Sequence, residues 1–379
     1  MTMRTWTITV SAAAALAACG APDEAAEETG PASAAYRVET VAEGLEYPWS
    51  LAFLPGGDML VTEKPGRLRL IMDGALRDEP IAGTPDVFYE SQGGLLEVAL
   101  APDYADTGVV YLSYAAGGPD ANATALYRAR FDGETLSGGE TVWTAEPTKD
   151  TAVHYGGKIG FLADGTLLLT LGDGFEYREE AQRLDSHLGT IVRLNPDGTA
   201  PADNPFTGDP NALPEIWSWG HRNVQGLVVD DASDRVWAHE HGPRGGDELN
   251  LIEAGANYGW PVVTAGVDYS GARISPFEDH EEQGYAAPER EWVPSIAPSG
   301  MALYDGELFP DWRGDFFIGA LAGRALHRVD MENGAAVGEE VLLGDLGERI
   351  RDVRVGPDGA LYVLTDAENG RVLRIVPDA

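Results

Sequence analysis

A single pattern returns six times along this chain of 379 residues. Each copy is an apolar strand, a turn rich in Pro, Asp or Gly, and then a second apolar strand. The copies start at intervals of roughly 45 to 75 residues, which matches the length of one blade in a β-propeller. They occupy residues 51–62, 98–114, 159–170, 227–239, 301–319 and 353–364.

The six copies predict an all-β protein that folds as a six-bladed β-propeller over residues 36–379. The 47 Gly and 24 Pro residues suit the many tight turns that such a ring needs. We expect the strand at 36–41 to pair with the last strand at 371–376, because a blade built from both chain ends closes the ring. An open β-sandwich is the structural alternative.

The N-terminus has the features of an export signal. Arg4 is followed by a short apolar run that ends in Leu-Ala-Ala-Cys at 16–19, and this run is too short to span a bilayer as a helix. The ending resembles a bacterial lipobox, so residues 1–19 are predicted to be a lipoprotein signal peptide in which Cys19, the only cysteine, is lipidated. An ordinary secretory peptide is the alternative. Residues 20–35 are predicted to be a disordered acidic tether, which would anchor a periplasmic protein to the membrane.

The charge of the chain restricts its partners. It has 62 acidic and 26 basic residues, and its net charge is -36. Such a charge repels the phosphate backbone of nucleic acids and anionic membrane surfaces. We therefore expect no nucleic-acid partner, and we interpret the excess of acidic residues as a solvated surface.

Polar, glycine-rich segments stand just before or after several copies of the repeat. Loops at one end of a propeller meet near its central channel, so these segments are expected to form one pocket. A histidine there is a natural general base near neutral pH. The chain has no Gly-x-Ser-x-Gly elbow and no Gly-x-Gly-x-x-Gly turn after a strand, which argues against covalent hydrolase chemistry and against a nicotinamide site. The residues expected in the pocket are Gln92, His154, Asn223 and His241.

Oxygen ligands for a metal are concentrated at 242–250 and 255–261, where Gly and Pro carbonyls stand beside Asp and Glu. Calcium is a hard cation that prefers oxygen, and no closely spaced set of His or Cys argues for zinc. The segment therefore predicts a calcium site, with solvated loop acids as the alternative.

Taken in order, these segments resemble the quinoprotein glucose and aldose sugar dehydrogenases, a sorbosone dehydrogenase-like family that uses pyrroloquinoline quinone (PQQ). The similarity extends from Tyr36 nearly to the C-terminus. No single motif is specific, but their order and spacing are. The segments that carry the resemblance are 92–96, His154 with the double glycine at 156–157, 220–227, 242–250, 257–261 and 349–353.

The resemblance implies that the chain oxidises aldoses at the anomeric carbon to lactones, with PQQ and Ca²⁺ as cofactors. His154 would take the proton from the anomeric hydroxyl while hydride passes to the quinone, and Asp247 would orient His154 or share its proton. The carbonyls of Gly242 and Pro243 would bind the catalytic calcium. By the same resemblance, PQQ would be held by Gln92, Asn223, His241, Arg349 and Arg351, and structural calcium by Glu248, the Tyr258 carbonyl and Asp268.

The chain departs from the family pattern at one cofactor contact. Glucose-active relatives carry a cofactor-binding lysine after a Ser-Leu or Ala-Leu pair, and here that position is Ala322. We expect Arg324 to reach the cofactor in its place. His241 is a second difference, since some relatives have glutamine before the Gly-Pro pair.

Two other functions are compatible with a propeller of this kind. One is a non-catalytic propeller that binds glycans or proteins, which Ala322 favours. The other is a calcium-dependent, lactonase-like hydrolase with His154 as base, but the pair Arg349 and Arg351 suits an anionic cofactor better. For the dehydrogenase, the expected partners are a small aldose substrate and a periplasmic electron acceptor, either a quinone or a cytochrome.

Overall fold

Each of the six repeated segments forms a β-hairpin, and two further strands extend every hairpin into a four-stranded antiparallel sheet. The computed structural model describes residues 34–378. The six first strands contact one another around the centre, and the sheets radiate from them as blades. The prediction of an all-β, six-bladed propeller is confirmed. The predicted signal peptide with Cys19 and the tether up to residue 33 lie outside the described residues.

Blades 1 to 3 follow one another along the chain, each with its first strand innermost. Blade 1 contains β2 (Pro48–Phe53), β3 (Met59–Glu63), β4 (Arg67–Met72) and β5 (Ala75–Leu76), blade 2 contains β6 (Leu95–Leu100), β7 (Val109–Gly118), β8 (Ala121–Phe131) and β9 (Leu136–Thr144), and blade 3 contains β10 (Ile159–Phe161), β11 (Leu167–Thr170), β12 (Thr190–Leu194) and β13 (Ile216–Trp219).

Blades 4 to 6 repeat this order, except that the last blade takes its outermost strand from the N-terminal end of the described chain. Blade 4 contains β14 (Val224–Asp230), β15 (Arg235–Glu240), β16 (Asp247–Ile252) and β17 (Arg290–Trp292), blade 5 contains β18 (Pro298–Leu303), β19 (Phe316–Ala320), β20 (Ala325–Glu332) and β21 (Ala335–Leu342), and blade 6 contains β22 (Ile350–Val355), β23 (Leu361–Thr365), β24 (Gly370–Pro377) and β1 (Tyr36–Leu45).

Helices are short in the described part of the chain. The α-helices are α1 (Tyr104–Thr107) and α2 (His280–Gln283), and single 3₁₀ turns lie at Arg178–Gln182, Pro310–Trp312 and Gly344–Leu346. Within residues 34–378, none of these helices has the length and apolar character needed to cross a bilayer.

The ring is closed by the pairing of β1 with β24. Arg37 lies opposite Val376, Val38 opposite Ile375, and a bulge follows at Thr40. The predicted pairing of 36–41 with 371–376 is therefore confirmed. It leaves no open seam between the first and last blades, because both chain ends contribute to one sheet.

The second strand of blade 3 is apolar along almost its whole length because the blade has a neighbour on both faces. In β11, Leu167 and Leu169 pack with residues of blade 2, whereas Leu168 packs with residues of blade 4. Successive side chains of a strand point to opposite faces, so the run of three leucines supplies two cores at once. A sheet buried on both faces reads as a continuous apolar segment and not as an alternating one.

Buried ion pairs connect the inner strands. Lys158 Nζ lies 2.9 Å from Glu97 Oε2 and 2.9 Å from Asp352 Oδ1. Arg354 pairs with the same two carboxylates. The network links blades 2, 3 and 6, and mutual pairing compensates charges that would be costly to bury singly.

Closure by β1 can be tested by truncation. A chain that starts at Glu46 and lacks β1 is expected to lose about 5 kcal/mol of unfolding free energy, since several ladder hydrogen bonds contribute about 1 kcal/mol each and Leu45 loses its burial. Denaturant unfolding would measure the difference against a control that starts at Ala34. Equal stability of the two chains would contradict a structural role for the β1–β24 pair.

Candidate active site

One edge of the ring collects residues that come directly after the second strand of a blade. The strands of a hairpin run antiparallel, so the end of the second strand lies beside the start of the first. Lys64, His241, Leu321 and Asp366 all occupy this position after β3, β15, β19 and β23, and all four line one cavity, called cavity A. Its empty space is about 710 Å³, including its open mouth. The predicted cofactor residues that line it are Gln92, Asn223, His241, Arg349 and Arg351.

His154 lies between blades 2 and 3 and is only 4% exposed. Its backbone has a positive φ of 52°, and its N–H donates to Gln92 Oε1 at 2.8 Å. A Cβ on Gly172 would lie 2.4 Å from the His154 carbonyl oxygen, so glycine is required there. The backbone of His154 is therefore held from several sides.

The partner of the His154 ring is Asp173. The distance from His154 Nδ1 to Asp173 Oδ1 is 2.6 Å. Asp173 also accepts hydrogen bonds from Trp260 Nε1 and from the Phe175 N–H, both at 2.8 Å. An ionised carboxylate can only accept, so Nδ1 of His154 carries the proton and Nε2 keeps its lone pair. No hydrogen bond from residues 34–378 occupies Nε2, which is the arrangement of a general base.

The protonation states of this pair follow from burial and hydrogen bonding. Burial lowers the pKa of His154, and Asp173 opposes that shift only in part. Burial raises the pKa of Asp173, but the hydrogen bond with His154, the charge of Arg222 and the hydrogen bond from the Phe175 N–H outweigh it and hold this pKa below its ordinary value. At neutral pH the pair is a neutral imidazole beside a carboxylate.

Asp247 does not hold His154, which corrects the expectation from the resemblance. Its carboxylate accepts hydrogen bonds from the Gly242 N–H at 2.8 Å, from Ser295 Oγ, and from the N–H groups of Ile296 and Ala297. With these bonds it fixes the loop that begins at Gly242. Asp173 was missed because an Asp-Gly pair after an apolar strand is typical of a turn.

The backbone shape of the Gly242-Pro243 loop is consistent with the predicted metal site. A Cβ on Gly242 would lie 2.2 Å from two carbonyl oxygens, so only glycine fits. The Gly242 carbonyl accepts a hydrogen bond from Arg222 Nη1 at 2.7 Å, and the Arg222 guanidinium lies over the Trp260 ring at 5.3 Å. A carbonyl oxygen has a second lone pair, which leaves it able to bind a cation as well.

The three residues predicted to hold structural calcium lie in different surroundings. Glu248 is buried, forms a cluster with His280 and Glu291, and has a pKa raised by burial. Tyr258 is buried and its ring stacks on His221 at 4.6 Å. Asp268 instead caps a loop turn by accepting from Ser270. Asp268 and Glu248 share no contact in the structure.

A second cavity, cavity B, lies beside Phe175, an aromatic neighbour of His154. Phe175 meets the His154 ring edge to face at 5.3 Å and lines cavity B together with Arg222, Pro243 and Trp260. Asp268 also lines it. His154 itself is buried, but its neighbours reach both cavities: Gln92 and Tyr155 line cavity A, and Phe175 lines cavity B.

Cavity A carries an excess of positive charge. The guanidinium of Arg349 and that of Arg351 both pair with Asp366, at 2.8 and 3.2 Å. Burial raises the pKa of Asp366, but the two arginines outweigh it and lower it to about 2. Lys64 lines the same cavity, so three cations face one carboxylate.

Arg324 lies outside cavity A, which corrects the expectation that it replaces the missing lysine. It is exposed and its Nη1 donates to the Gly347 carbonyl at 2.9 Å. Ala322 is exposed, and only Leu321 of this segment lines the cavity. Lys64 and Asp366 were missed as site residues, although superposing the six repeats places both at the position that His241 occupies in its own blade.

Comparison with known proteins identifies similar chains. The sequence model described as Glucose / Sorbosone dehydrogenase matches residues 45–374. Aldose sugar dehydrogenase YliI of Escherichia coli strain K12 is 42% identical over 350 residues, which cover 91% of this chain and 94% of the relative. A crystal structure of a glucose dehydrogenase is 46% identical with a TM-score of 0.87 and covers 90% of this chain and 100% of that one. The PQQ-bound aldose sugar dehydrogenase of Streptomyces coelicolor is 31% identical with a TM-score of 0.73, covering 91% and 99%.

The role of Asp173 can be tested by titration. Asp173→Asn is expected to lower the pKa of His154 further, because the charge that favours the imidazolium is lost. Nuclear magnetic resonance of the imidazole nitrogens across a pH series would measure this pKa. Asp247→Asn is the matched control and should leave the pKa of His154 in place. A larger shift in the control than in Asp173→Asn would contradict the assignment.

Proposed function

Because the chain belongs to the glucose/sorbosone dehydrogenase family, we propose that this oxidoreductase uses PQQ and Ca²⁺ to oxidise aldoses at the anomeric carbon to lactones. The observation that carries the proposal is His154 itself, a neutral imidazole whose Nδ1 bonds to the Asp173 carboxylate and whose Nε2 has no hydrogen-bond partner among residues 34–378. A base in this position can take a proton from a substrate in cavity B while a cofactor in cavity A receives the electrons. The hydrolase and the non-catalytic propeller are set aside, since the family assignment makes the chain an oxidoreductase.

Cavity A has the chemistry that PQQ requires. PQQ is a planar aromatic molecule with three carboxylates, and the cavity combines an excess of cations with the ring of Trp49. Arg349 and Arg351 present guanidinium groups, which suit bidentate recognition of a carboxylate. Gln92 and Asn223 add amide groups for the polar edge of the cofactor. When bound, PQQ supplies the two-electron acceptor of the reaction.

His241 contributes to this cavity as a neutral side chain. Burial lowers its pKa well below the ordinary value, and its Nε2 lies 2.6 Å from the Pro298 carbonyl oxygen, to which it donates. Nδ1 is then left with a lone pair as an acceptor. His241 can therefore receive a hydrogen bond without adding further positive charge.

Calcium is proposed at the carbonyls of Gly242 and Pro243. The loop is held by Asp247 from behind, and oxygen ligands of this kind suit a hard cation. The ion would polarise the cofactor as a Lewis acid. A structural calcium is proposed at Glu248 and the Tyr258 carbonyl, for which the cluster of Glu248 with Glu291 offers acidic oxygens.

The mechanism assigned to the protein is proton transfer through one histidine. His154 Nε2 takes the proton from the anomeric hydroxyl, and the imidazolium that forms is stabilised by the Asp173 carboxylate at 2.6 Å. Trp260 and the Phe175 N–H keep Asp173 in place. The ring of Phe175 shields the histidine on the side of cavity B.

The cellular setting is a further part of the proposal and depends on the sequence of the first twenty residues. We propose that Cys19 is lipidated, that the propeller works in the periplasm on a membrane anchor, and that a quinone or a cytochrome takes the electrons. Metabolic labelling with a radioactive or clickable fatty acid, with Cys19→Ser as control, would test the anchor.

The activity can be tested with the chain from Ala34 onward. With Ca²⁺ and PQQ added, we expect dye reduction with aldoses, and no reduction when either addition is omitted. His154→Ala should abolish turnover, and Asp173→Asn should lower kcat by about 10²- to 10⁴-fold, as expected for impaired general base catalysis. Stopped assays of lactone would identify the product. A wild-type chain that binds no PQQ by titration would overturn the proposal.

The pH profile adds a second measurement. The burial that lowers the pKa of His154 keeps its neutral form present below the ordinary histidine range, so the acid limb of kcat/KM is expected below pH about 6.5. The rate rises with pH through this limb because the base must be unprotonated. In Asp173→Asn the limb should move to still lower pH, and a shift to higher pH would contradict the assigned pair.

A further inference from the structure

Lys64 is the cation of cavity A that has no carboxylate partner. Its Nζ donates to the Ser91 carbonyl at 2.7 Å. Among residues 34–378, no carboxylate oxygen lies within 4.0 Å of this nitrogen, whereas Arg349 and Arg351 share Asp366. In a chain of net charge -36, the Lys64 ammonium thus faces the cavity with a backbone carbonyl and, within the described residues, no acid as its partner.

When no ligand is bound, the surroundings of Lys64 destabilise the protonated form of its side-chain amine. Burial lowers its pKa, the charges of Arg351 and Arg349 lower it further, and Asp366 opposes the shift. The rings of Tyr47 and Tyr89 lie 5.8 and 6.0 Å from Nζ. An anion placed among the three cations would relieve their mutual repulsion.

The backbone of Lys64 is held where two blades meet. Its N–H donates to the Tyr47 carbonyl at 3.1 Å, and its carbonyl accepts from the Leu95 N–H at 3.0 Å. A Cβ on Gly94 would lie 2.2 Å from the Lys64 carbonyl oxygen, so blade 2 packs closely against this residue. The neighbouring Glu63 forms ion pairs with Arg67 and Arg69 and not with Lys64. In the described part of the chain, the Lys64 ammonium therefore faces the cavity without a carboxylate partner.

We propose that Lys64, projecting from blade 1, supplies the ammonium that binds a carboxylate of the quinone cofactor in this chain. It takes the role that Ala322 of blade 5 cannot fill and that Arg324, engaged with Gly347, does not fill. Together with Arg349 and Arg351 it gives one cation for each of the three carboxylates of PQQ. The inference rests on the proposed function, because it assigns a residue to the same cofactor.

The test is the equilibrium binding of PQQ to the chain from Ala34 onward, with Ca²⁺ present and no sugar. Quenching of tryptophan fluorescence reports binding, since Trp49 lines the cavity, and equilibrium dialysis provides a second measurement. Lys64→Gln is expected to raise Kd by about 10- to 100-fold, the effect of losing a hydrogen bond between charged partners. The Kd should also depend less steeply on salt in this variant.

Matched variants separate charge from structure. Lys64→Arg retains the charge and should bind within a few-fold of wild type, and Arg324→Gln should bind like wild type. Adding Ala322→Lys to Lys64→Gln should recover part of the lost affinity, because the cation then enters from blade 5. The Tm of each apo variant shows whether it is folded.

The outcomes distinguish this inference from the proposed function. Wild type that binds PQQ while Lys64→Gln binds equally well overturns the role of Lys64 and leaves the proposed function standing. Wild type that binds no PQQ overturns both. A loss of affinity shared by Lys64→Gln and Lys64→Arg, with the Tm lowered in each, would show that Lys64 is structural through its bond to Ser91 and would also overturn the inference.

Discussion

Every blade of this ring is covered on both faces by its neighbours, and the geometry of the site depends on that packing. The side chains of β11 show how strictly it sets the register, since Leu168 faces one neighbour and Leu167 and Leu169 face the other. A slip by one residue would exchange the two faces of the strand. The strand ends are therefore fixed, and with them the residues that follow the second strands, among them Lys64, His241 and Asp366.

This rigidity allows a strained and crowded arrangement around His154. The residue has a positive φ, and its carbonyl leaves no room for a side chain on Gly172. Such a conformation persists only where the surrounding structure enforces it. One nitrogen of the imidazole is committed to Asp173, and the other has no hydrogen-bond partner among residues 34–378, so the ring is held in one orientation.

Cavity A differs from the rest of the molecule in the sign of its charge. The chain is strongly acidic, yet the wall of cavity A presents Lys64, Arg349 and Arg351 with Asp366 as the carboxylate among them. Cavity A thus offers positive charge at one place on a surface that otherwise repels anions. The same acidic surface disfavours nonspecific anionic ligands elsewhere, which makes the cavity selective by its location as well as by its shape.

The amino-acid sequence by itself determined the number of blades, the pairing of the two chain ends and the set of loops that meet at one edge, because repeats and apolar strands are local patterns. It also predicted that Asn223, Arg349 and Arg351 share one pocket, and all three line cavity A. Only the tertiary structure decided which acid bonds to His154 and which cations line cavity A. Asp247 and Asp173 are equivalent candidates in a linear chain, and the backbone N–H groups around Asp247 decide between them. Lys64 and Arg324 are likewise indistinguishable in the linear chain. In the structure Lys64 lines cavity A, whereas Arg324 bonds to the Gly347 carbonyl outside it.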